Sequence, residues 1–386
     1  MRKFGLMLVA GVAVIGLAAC SGEGADGGGG GGNVGGGETA DTSQITVGVA
    51  MPTETSERWI ADGKAVEEGL EALGYQVDVQ FAGDDIPTQT QQIDSMITSG
   101  VDVLVIASID GTALSSQLDA AAAANIPVIS YDRLIRDSEH VDFYVTFDNY
   151  AVGVAQANAL LYGLGLTDKD GVATGTTTGP LNIELFAGSP DDNNAGFFFN
   201  GAMDTLKPFL DDGTLVVKSG QTAFDTVATL RWSQEAAQKR MEDLLTSTYA
   251  DGSKLDGVLS PFDGISRGII TALQGVGMGP TIEQGLPIVT GQDAEIASVK
   301  LIADGIQSST IFKDTRKLAD EAVSATQALA EGKAPEANDT ETYDNGVKVV
   351  PSYLLTVDTL YADGIQSMLV DSGYYTAEEV AAGVAD

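Results

Sequence analysis

The chain has 386 residues, of which 44% are hydrophobic, and this length exceeds one ordinary hydrophobic core, so we expect two lobes. Its 55 acidic residues against 20 basic ones give a formal charge of −35, which would repel phosphate backbones and argues against nucleic acid as a partner. A single cysteine excludes an intrachain disulfide. The single histidine, His140, leaves little metal or acid–base chemistry, so we expect no metal and no cofactor.

The N-terminus has the pattern of an export signal. Arg2 and Lys3 precede an apolar run over residues 4–19, which is short for a membrane span and predicts a signal peptide at residues 1–19. The run ends in Leu-Ala-Ala-Cys, which resembles the bacterial lipobox, and a lipobox would make Cys20 the lipidated first residue of the mature chain. An uncleaved anchor helix and a chance cysteine are the alternatives. Residues 20–43 are rich in glycine and predict a flexible tether, so the folded part would be exported and held outside a membrane.

From residue 45 onward, strand-like and helix-like segments alternate, which predicts an α/β fold with parallel sheets flanked by helices. In the first half, strands are predicted at residues 45–50, 77–81, 101–107, 128–131 and 143–147. After a helix at 150–164 and a glycine-rich surface loop at 168–179, further strands are predicted at 182–186, 215–217, 257–259 and 288–290. The segments 310–312 and 316–331 are expected to return to the first lobe, and 347–355 to cross back to the second.

Several predicted strands end in charged or amide side chains. In open α/β sheets, the carboxyl ends of the strands form the edge at which ligands bind. We therefore predict that these side chains converge on one small ligand that is rich in hydroxyl groups. They are Asp132, Arg133, Asp148, Asn149, Asp263, Asp293 and Lys313.

A series of short motifs keeps its order along nearly the whole mature chain. They include Met-Pro-Thr at 51–53, Arg-Trp at 58–59, Tyr-Asp-Arg-Leu-Ile at 131–135, Ser-Pro-Asp-Asp-Asn-Asn-Ala at 189–195, Leu-Arg-Trp at 230–232, Pro-Phe-Asp-Gly at 261–264 and Gly-Gln-Asp-Ala at 291–294. With these motifs the sequence resembles periplasmic sugar-binding proteins of ABC transporters, in the xylose and multiple-monosaccharide branch.

The resemblance implies a two-lobed type I periplasmic-binding-protein fold with three hinge crossings. It places residues 44–147 and 294–346 in the N-terminal lobe, and residues 148–293 and 347–386 in the C-terminal lobe. It also implies a monomer that captures a monosaccharide between the lobes and delivers it to a membrane permease. The implied ligand contacts are Arg58, Asp132, Arg133, Asn149, Asn194, Asp263, Asp293 and Lys313, with Trp59, Asp148, Glu184 and Trp232 as further candidates.

Each candidate also has a structural interpretation. Asp132 and Arg133 could form an ion pair at a strand end, while Asp148 and Asn149 could cap the following helix. Asp263 could cap a helix in the same way, Lys313 could be an ordinary exposed lysine, and the tryptophans could pack in the core. Their shared position at strand ends, together with the family resemblance, favours the ligand site.

Enzymatic alternatives fit the sequence less well. Residues 264–268 match G-x-S-x-G between a strand and a helix, but the only histidine precedes the serine, whereas an α/β-hydrolase has its histidine after it. Asp191 and Asp192 could suggest glycoside cleavage, although beside two asparagines they more simply indicate a helix start. We therefore expect a binding protein and not an enzyme.

Two further classes share the predicted architecture. A sugar-sensing transcription factor would carry a DNA-binding segment where this chain has an export signal and a tether. A ligand-capturing partner of a membrane sensor or chemoreceptor stays open, because the same lobes could dock on a receptor or on a permease.

Overall fold

A first group of parallel strands and helices is built from the N-terminal half of the chain and one late strand. The computed structural model describes residues 45–385, so the predicted signal peptide, Cys20 and tether lie outside the described residues. The first group of elements is β1 (Thr46–Met51), α1 (Glu57–Ala72), β2 (Gln76–Phe81), α2 (Ile86–Ser99), β3 (Val103–Ile106), α3 (Ser115–Ala123), β4 (Val128–Tyr131) and β5 (Phe143–Phe147). Their sheet is parallel throughout, in the order β11-β5-β4-β3-β1-β2, where β11 is Ser352–Leu355.

This sheet is covered on both faces, which explains why its strands are almost continuously apolar. The core on one face includes side chains of α1 and of α10 (Thr315–Ala330), such as Val66 and Leu318. The core on the other face includes side chains of α2 and α3, such as Ile93 and Leu118. Because both faces are buried, the inner strands β1, β3, β4 and β5 contain no charged side chain, and Asp78 lies in the edge strand β2.

The second group of elements forms a four-stranded parallel sheet in the order β7-β6-β8-β9. Its strands are β6 (Leu181–Leu185), β7 (Leu215–Val217), β8 (Gly257–Leu259) and β9 (Ile288–Val289). Its helices are α4 (Asn149–Gly163), α5 (Asn193–Asp211), α6 (Phe224–Val227), α7 (Gln234–Ser247), α8 (Asp263–Gly275), α9 (Ile296–Ala303) and α11 (Ala377–Ala382). The helices α4 and α5 pack closely because Gly153 has no side chain, and a Cβ there would lie 1.9 Å from the carbonyl oxygen of Phe198.

The chain passes between the two sheets three times. It leaves the first sheet after β5, returns after β10 (Thr310–Phe312), and leaves again between β11 and β12 (Asp358–Leu360). Strands β10 and β12 pair antiparallel, and the Asp148 N–H donates to Leu355 O at 2.9 Å, so the crossings lie side by side. Three adjacent short connections are the arrangement that permits a hinge between two lobes.

Sheet membership defines a first lobe of residues 45–147 and 313–355, and a second lobe of residues 148–312 and 356–385. This corrects two predicted boundaries. Residues 347–355 do not cross to the second lobe, because β11 pairs with β5 in the first sheet. Residues 294–312 belong to the second lobe, because α9 packs with α8 and α11. The alternation of strands and helices contains no information about which sheet a strand joins, and that is decided by pairing with a distant strand.

Candidate ligand-binding site

A cavity of about 490 Å³ lies between the two lobes, at the carboxyl ends of their strands. Its volume falls within the range of about 300–1,000 Å³ typical of small-molecule sites. Eight of the predicted residues line it, and they are Arg58, Trp59, Asp132, Arg133, Asn194, Trp232, Asp293 and Lys313. The wall also includes Asp84, Asp192, Phe198, Arg231, Phe262, Arg267, Gln292 and Glu295.

Arg58 is the central cation of the site and is buried at the second position of α1. Its Nε donates to Asp62 Oδ2 at 2.9 Å, its Nη2 donates to Asp132, and its Nη1 lies 3.7 Å from Asp293 Oδ1. Burial alone would lower the pKa of Arg58, but these three carboxylates outweigh it and raise the pKa well above its ordinary value. The guanidinium is therefore charged at any physiological pH.

Asp132 shares this network from the end of β4. Burial tends to raise the pKa of its carboxyl, but Arg58 and Lys313 outweigh burial, so the pKa is lowered. Asp132 is ionised and presents a fixed acceptor to the cavity.

Lys313 and Asp293 form a second buried ion pair at the hinge. Lys313 Nζ lies 2.9 Å from Asp293 Oδ1 and also sits over the rings of Phe147 and Phe198, at 5.6 and 5.7 Å from their centroids. Asp293 Oδ1 has no hydrogen bond of normal geometry within the described chain, so its contacts with the cations are purely ionic. Asp293 lines the cavity, so a ligand bound there could donate to its carboxylate.

Two arginine side chains lie close to the ring of Trp59. The guanidinium carbon of Arg58 lies 4.6 Å from the ring centroid, and that of Arg133 lies 5.0 Å from it. Arg133 Nε also contacts Asp192 Oδ2 at 3.2 Å, across the cleft. Burial raises the pKa of Asp192, and Arg133 opposes this effect. One cation–π contact and one ion pair thus set the orientation of the Arg133 side chain.

The second lobe contributes three aromatic rings to the wall, beside its polar and charged side chains. The Trp232 ring makes edge-on contacts with Phe198 and Phe262, at centroid distances of 6.3 and 6.1 Å. Trp232 packs against Gly188, where an added Cβ would lie 2.0 Å from the indole. The indole Nε1 is buried and has no hydrogen-bond partner in the described chain. From the same wall, Asn194 Nδ2 donates to Asp132 O at 2.7 Å across the cleft.

Several residues of the wall have left-handed backbone conformations that side chains other than glycine rarely adopt. The φ angles are 58° at Asp132, 57° at Arg231, 55° at Trp232 and 89° at Asp293. Such conformations cost on the order of 1–3 kcal/mol each and concentrate at functional sites. Their presence on both walls of one cavity marks it as the functional site.

Four predicted contacts do not line the cavity. The Asp148 side chain accepts from Ala151 N at 2.9 Å and caps α4, which was the structural alternative for this residue. Asn149 lies behind the wall, where its Nδ2 donates to Asn194 Oδ1 at 3.1 Å. Both residues follow β5, but the turn into α4 directs their side chains toward the backbone and the protein interior.

Glu184 and Asp263 are the other two corrections. Glu184 Oε1 accepts from Ser219 N at 3.0 Å and from Tyr249 Oη at 2.9 Å, inside the second lobe. Asp263 accepts from Glu295 N at 2.9 Å and from Gln307 Nε2 at 2.8 Å, so its oxygens are occupied by protein groups. Burial, reinforced by Glu295, raises the pKa of Asp263 to about 8.

Three residues line the cavity although they were not predicted from the sequence, and they are Asp192, Arg231 and Glu295. Asp192 does begin α5, as the sequence indicated, but its carboxylate also reaches Arg133. Arg231 belongs to one of the motifs that carry the family resemblance. Its Nε lies 3.4 Å from Asp191 Oδ2. Glu295 accepts from Ser56 Oγ at 2.7 Å and from Arg267 Nη2 at 2.7 Å, and no pattern in the sequence indicated this contact between lobes.

The fold and this cavity define a two-lobed solute-binding protein. Residues 47–334 match the family model described as periplasmic binding protein domain, and the chain belongs to that family, with the type I fold. It is 57% identical over 335 residues to the multiple sugar-binding periplasmic receptor ChvE of Rhizobium radiobacter, covering 87% of this chain and 92% of that protein. It is 36% identical over 341 residues to the D-xylose-binding periplasmic protein of Escherichia coli, covering 88% and 94%.

Solved structures agree with this assignment. An ABC transporter solute-binding protein from Clostridium phytofermentans with bound β-D-glucose has a TM-score of 0.81 and 48% identity, covering 87% of this chain and 99% of that one. A carbohydrate transporter solute-binding protein from Chloroflexus aurantiacus in complex with D-glucose has a TM-score of 0.75 and 38% identity, covering 87% and 98%. The chain is therefore a solute-binding protein and not an enzyme, and its relatives in Rhizobium radiobacter and Escherichia coli are periplasmic proteins.

Two features of residues 45–385 bear on other interpretations. No group of three or more histidine, cysteine, aspartate or glutamate side chains is arranged to hold a metal ion there. Within the same range, no helix has both the length and the apolar character needed to cross a membrane.

Proposed function

We propose that this protein is the extracytoplasmic binding component of an ABC importer, that it captures an aldose between its lobes, and that it delivers the sugar to the permease. The observation that carries the proposal is the combination of buried cations and carboxylates with aromatic rings around one cavity of about 490 Å³. The sugars named for the relatives and bound in the similar solved structures agree with this chemistry.

The side chains of the cavity match the hydrogen-bonding pattern of a sugar. Each sugar hydroxyl both donates and accepts, so a carboxylate such as Asp132 or Asp293 can accept from it and a cation such as Arg58 or Lys313 can donate to it. Bonds to charged groups contribute about 1.5–3 kcal/mol each, so a few of them support micromolar binding, about −8 kcal/mol. The opposite charges also neutralise one another when no ligand separates them.

The aromatic residues match the apolar part of a pyranose surface. A sugar ring has apolar C–H faces, and the rings of Phe198, Trp232 and Phe262 offer flat apolar surfaces of matching size. All of these groups come from one chain, so a monomer is sufficient to form the complete site.

The decisive experiment is calorimetry on protein lacking residues 1–43. We expect micromolar or tighter binding of at least one of arabinose, xylose, glucose and galactose, with their uronic acids included in the panel. Polyols of the same size serve as controls, because they carry the hydroxyl groups of a sugar but have no ring. No heat of binding across the whole panel would contradict the sugar assignment.

We further propose that the protein is lipid-anchored through Cys20 and faces the outside of the membrane. The support is the lipobox-like Leu-Ala-Ala-Cys directly after the apolar run, followed by the glycine-rich segment. Cys20→Ser should move the protein from the membrane fraction to the soluble fraction of the exported material. Retention of the Cys20→Ser variant in the membrane fraction would contradict lipidation.

A further inference from the structure

Asp62 is a buried acid that contacts the site without lining it. It lies one helical turn after Arg58 on α1, and its side chain is fully buried. It does not contribute to the cavity wall, so neither the sequence motifs nor the cavity itself singles it out.

Both oxygens of the Asp62 carboxylate are engaged. Oδ2 accepts from Arg58 Nε at 2.9 Å, and Oδ1 accepts from the hydroxyl of Tyr131, which stands at the end of β4. Tyr131 is itself fully buried in the core of the first lobe, so its hydroxyl is a fixed donor. The carboxylate therefore connects a rigid strand to the inner edge of the Arg58 guanidinium.

This arrangement determines which nitrogens of Arg58 face the cavity. With Nε bonded to Asp62, the planar guanidinium turns Nη1 and Nη2 toward Asp293 and Asp132, the two carboxylates that line the cavity. A planar fork of donors recognises its partners only in a defined orientation. Without the bond to Nε, Arg58 would keep its charge but lose the constraint on its orientation.

We propose that Asp62 is a positioning residue for ligand binding, which holds the Arg58 guanidinium in the orientation that a sugar hydroxyl requires. The proposal rests on the sugar-binding function proposed above and adds a residue that touches no ligand.

The charge state of Asp62 offers an independent readout. Burial raises the pKa of its carboxyl to about 6, and Arg58 opposes this effect. The charged or titratable groups around it are Arg58 on its own helix, Tyr131 and Asp132 from the end of β4, and Tyr374 from the C-terminal segment. Of these groups, Asp62 is the one that titrates near pH 6, because the pKa of Asp132 is lowered and those of Arg58 and both tyrosines are raised.

The test compares Asp62→Asn with the wild type in calorimetry with a neutral aldose at pH 7.5, alongside Asp94→Asn, an exposed acid on α2. Asparagine has the same shape but cannot accept with both atoms, so we expect roughly tenfold weaker binding, from one lost bond to a charged group. The Asp94→Asn control should bind as the wild type does.

Two further readouts separate positioning from general structural support. The free energy of unfolding of Asp62→Asn should be equal to or higher than that of the wild type at pH 7.5, because a buried ionised carboxylate with a raised pKa is itself destabilising. Wild-type affinity should fall roughly fivefold from pH 7.5 to pH 5 through Asp62, since a neutral acceptor holds Arg58 less firmly, and this contribution should be absent in the variant, in which groups such as Asp192 still titrate.

The outcomes distinguish this proposal from the proposed function. If the wild type binds no sugar, the proposed function fails. If the wild type binds and Asp62→Asn binds equally well, the positioning role is overturned and the function stands. If Asp62→Asn does not fold, Tyr131→Phe replaces it, because it removes the donor to Oδ1 while keeping the ring. Unchanged affinity of Tyr131→Phe would then overturn the proposal.

Discussion

The two walls of the cavity are built on different principles. In the first lobe, Arg58, Trp59, Asp132 and Arg133 form an ionic network whose members already contact one another and the protein behind them. In the second lobe, a cluster of three aromatic rings stands among polar and charged side chains, and the indole nitrogen of Trp232 has no partner in the described chain.

This difference indicates a division of tasks between the lobes. The first wall is preorganised, so a sugar that binds there meets side chains whose orientation is already set, and little ordering cost remains. The second wall adds the apolar faces of its aromatic cluster, and these come to bear on the ligand when the lobes close. Hydrogen bonds between the lobes, such as those from Ser56 to Glu295 at 2.7 Å and from Ile296 N to Glu57 at 3.3 Å, belong to this closed arrangement.

The largest effect is expected from a substitution that disrupts the ionic network of the first wall. Arg58→Ala leaves Asp62, Asp132 and Asp293 without their shared cation, so we expect a loss of stability of about 3–5 kcal/mol. The binding of a neutral aldose should weaken by a further 1.5–3 kcal/mol, roughly ten- to hundredfold, because a charged donor to the sugar is lost. Urea denaturation and calorimetry measure the two effects separately.

The matched control for this prediction is Arg240→Ala in the second lobe. Arg240 is also partly buried, and its guanidinium carbon lies 4.2 Å from the ring centroid of Phe186. It does not line the cavity. The Arg240→Ala substitution should lower the free energy of unfolding without changing the affinity of the folded protein for sugar. If Arg58→Ala binds sugar as tightly as Arg240→Ala, the first wall is not the principal binding surface.

A smaller effect is expected from the second wall. Trp232→Phe keeps an aromatic face but removes Nε1, the donor without a partner, so affinity should fall by about 0.5–1.5 kcal/mol, roughly three- to tenfold. The chain has two tryptophans, one in each wall, so the fluorescence of Trp59 in this variant also reports sugar binding to the first wall. A loss as large as that of Arg58→Ala would reverse the proposed division of tasks.

A further prediction concerns stability and the layer behind the second wall. Asp263 has a pKa of about 8 in the folded protein against an ordinary value of 3.8, so unfolding between these values releases a proton. Stability should therefore fall as the pH rises toward 8, by about 1.4 kcal/mol per unit from this group, and level off above it. Asp263→Asn, which stays neutral, should lack this slope in denaturation between pH 6.5 and 8. A slope that persists in the variant would assign it to other groups.

Much of the fold was predictable from the sequence, because local patterns of apolar residues indicate where strands and helices form. Buried parallel strands need continuous apolar runs, so strands such as β4 and β5 were predicted at the residues where they occur. The return of the chain to the first sheet at β11 was not predictable. The pairing of Leu355 with Phe147 joins residues more than two hundred positions apart, and nothing local encodes it.

For the site, the sequence by itself determined the chemistry, namely polar side chains at strand ends in motifs that resemble sugar-binding proteins. Only the tertiary structure decided which side chains point into the cavity. Arg58 and Lys313 do, whereas Glu184 and Asp263 turn toward distant protein groups that satisfy their oxygens. The orientation of a charged side chain follows the lowest-energy partner available, and that partner is brought into contact only when separate parts of the chain fold together.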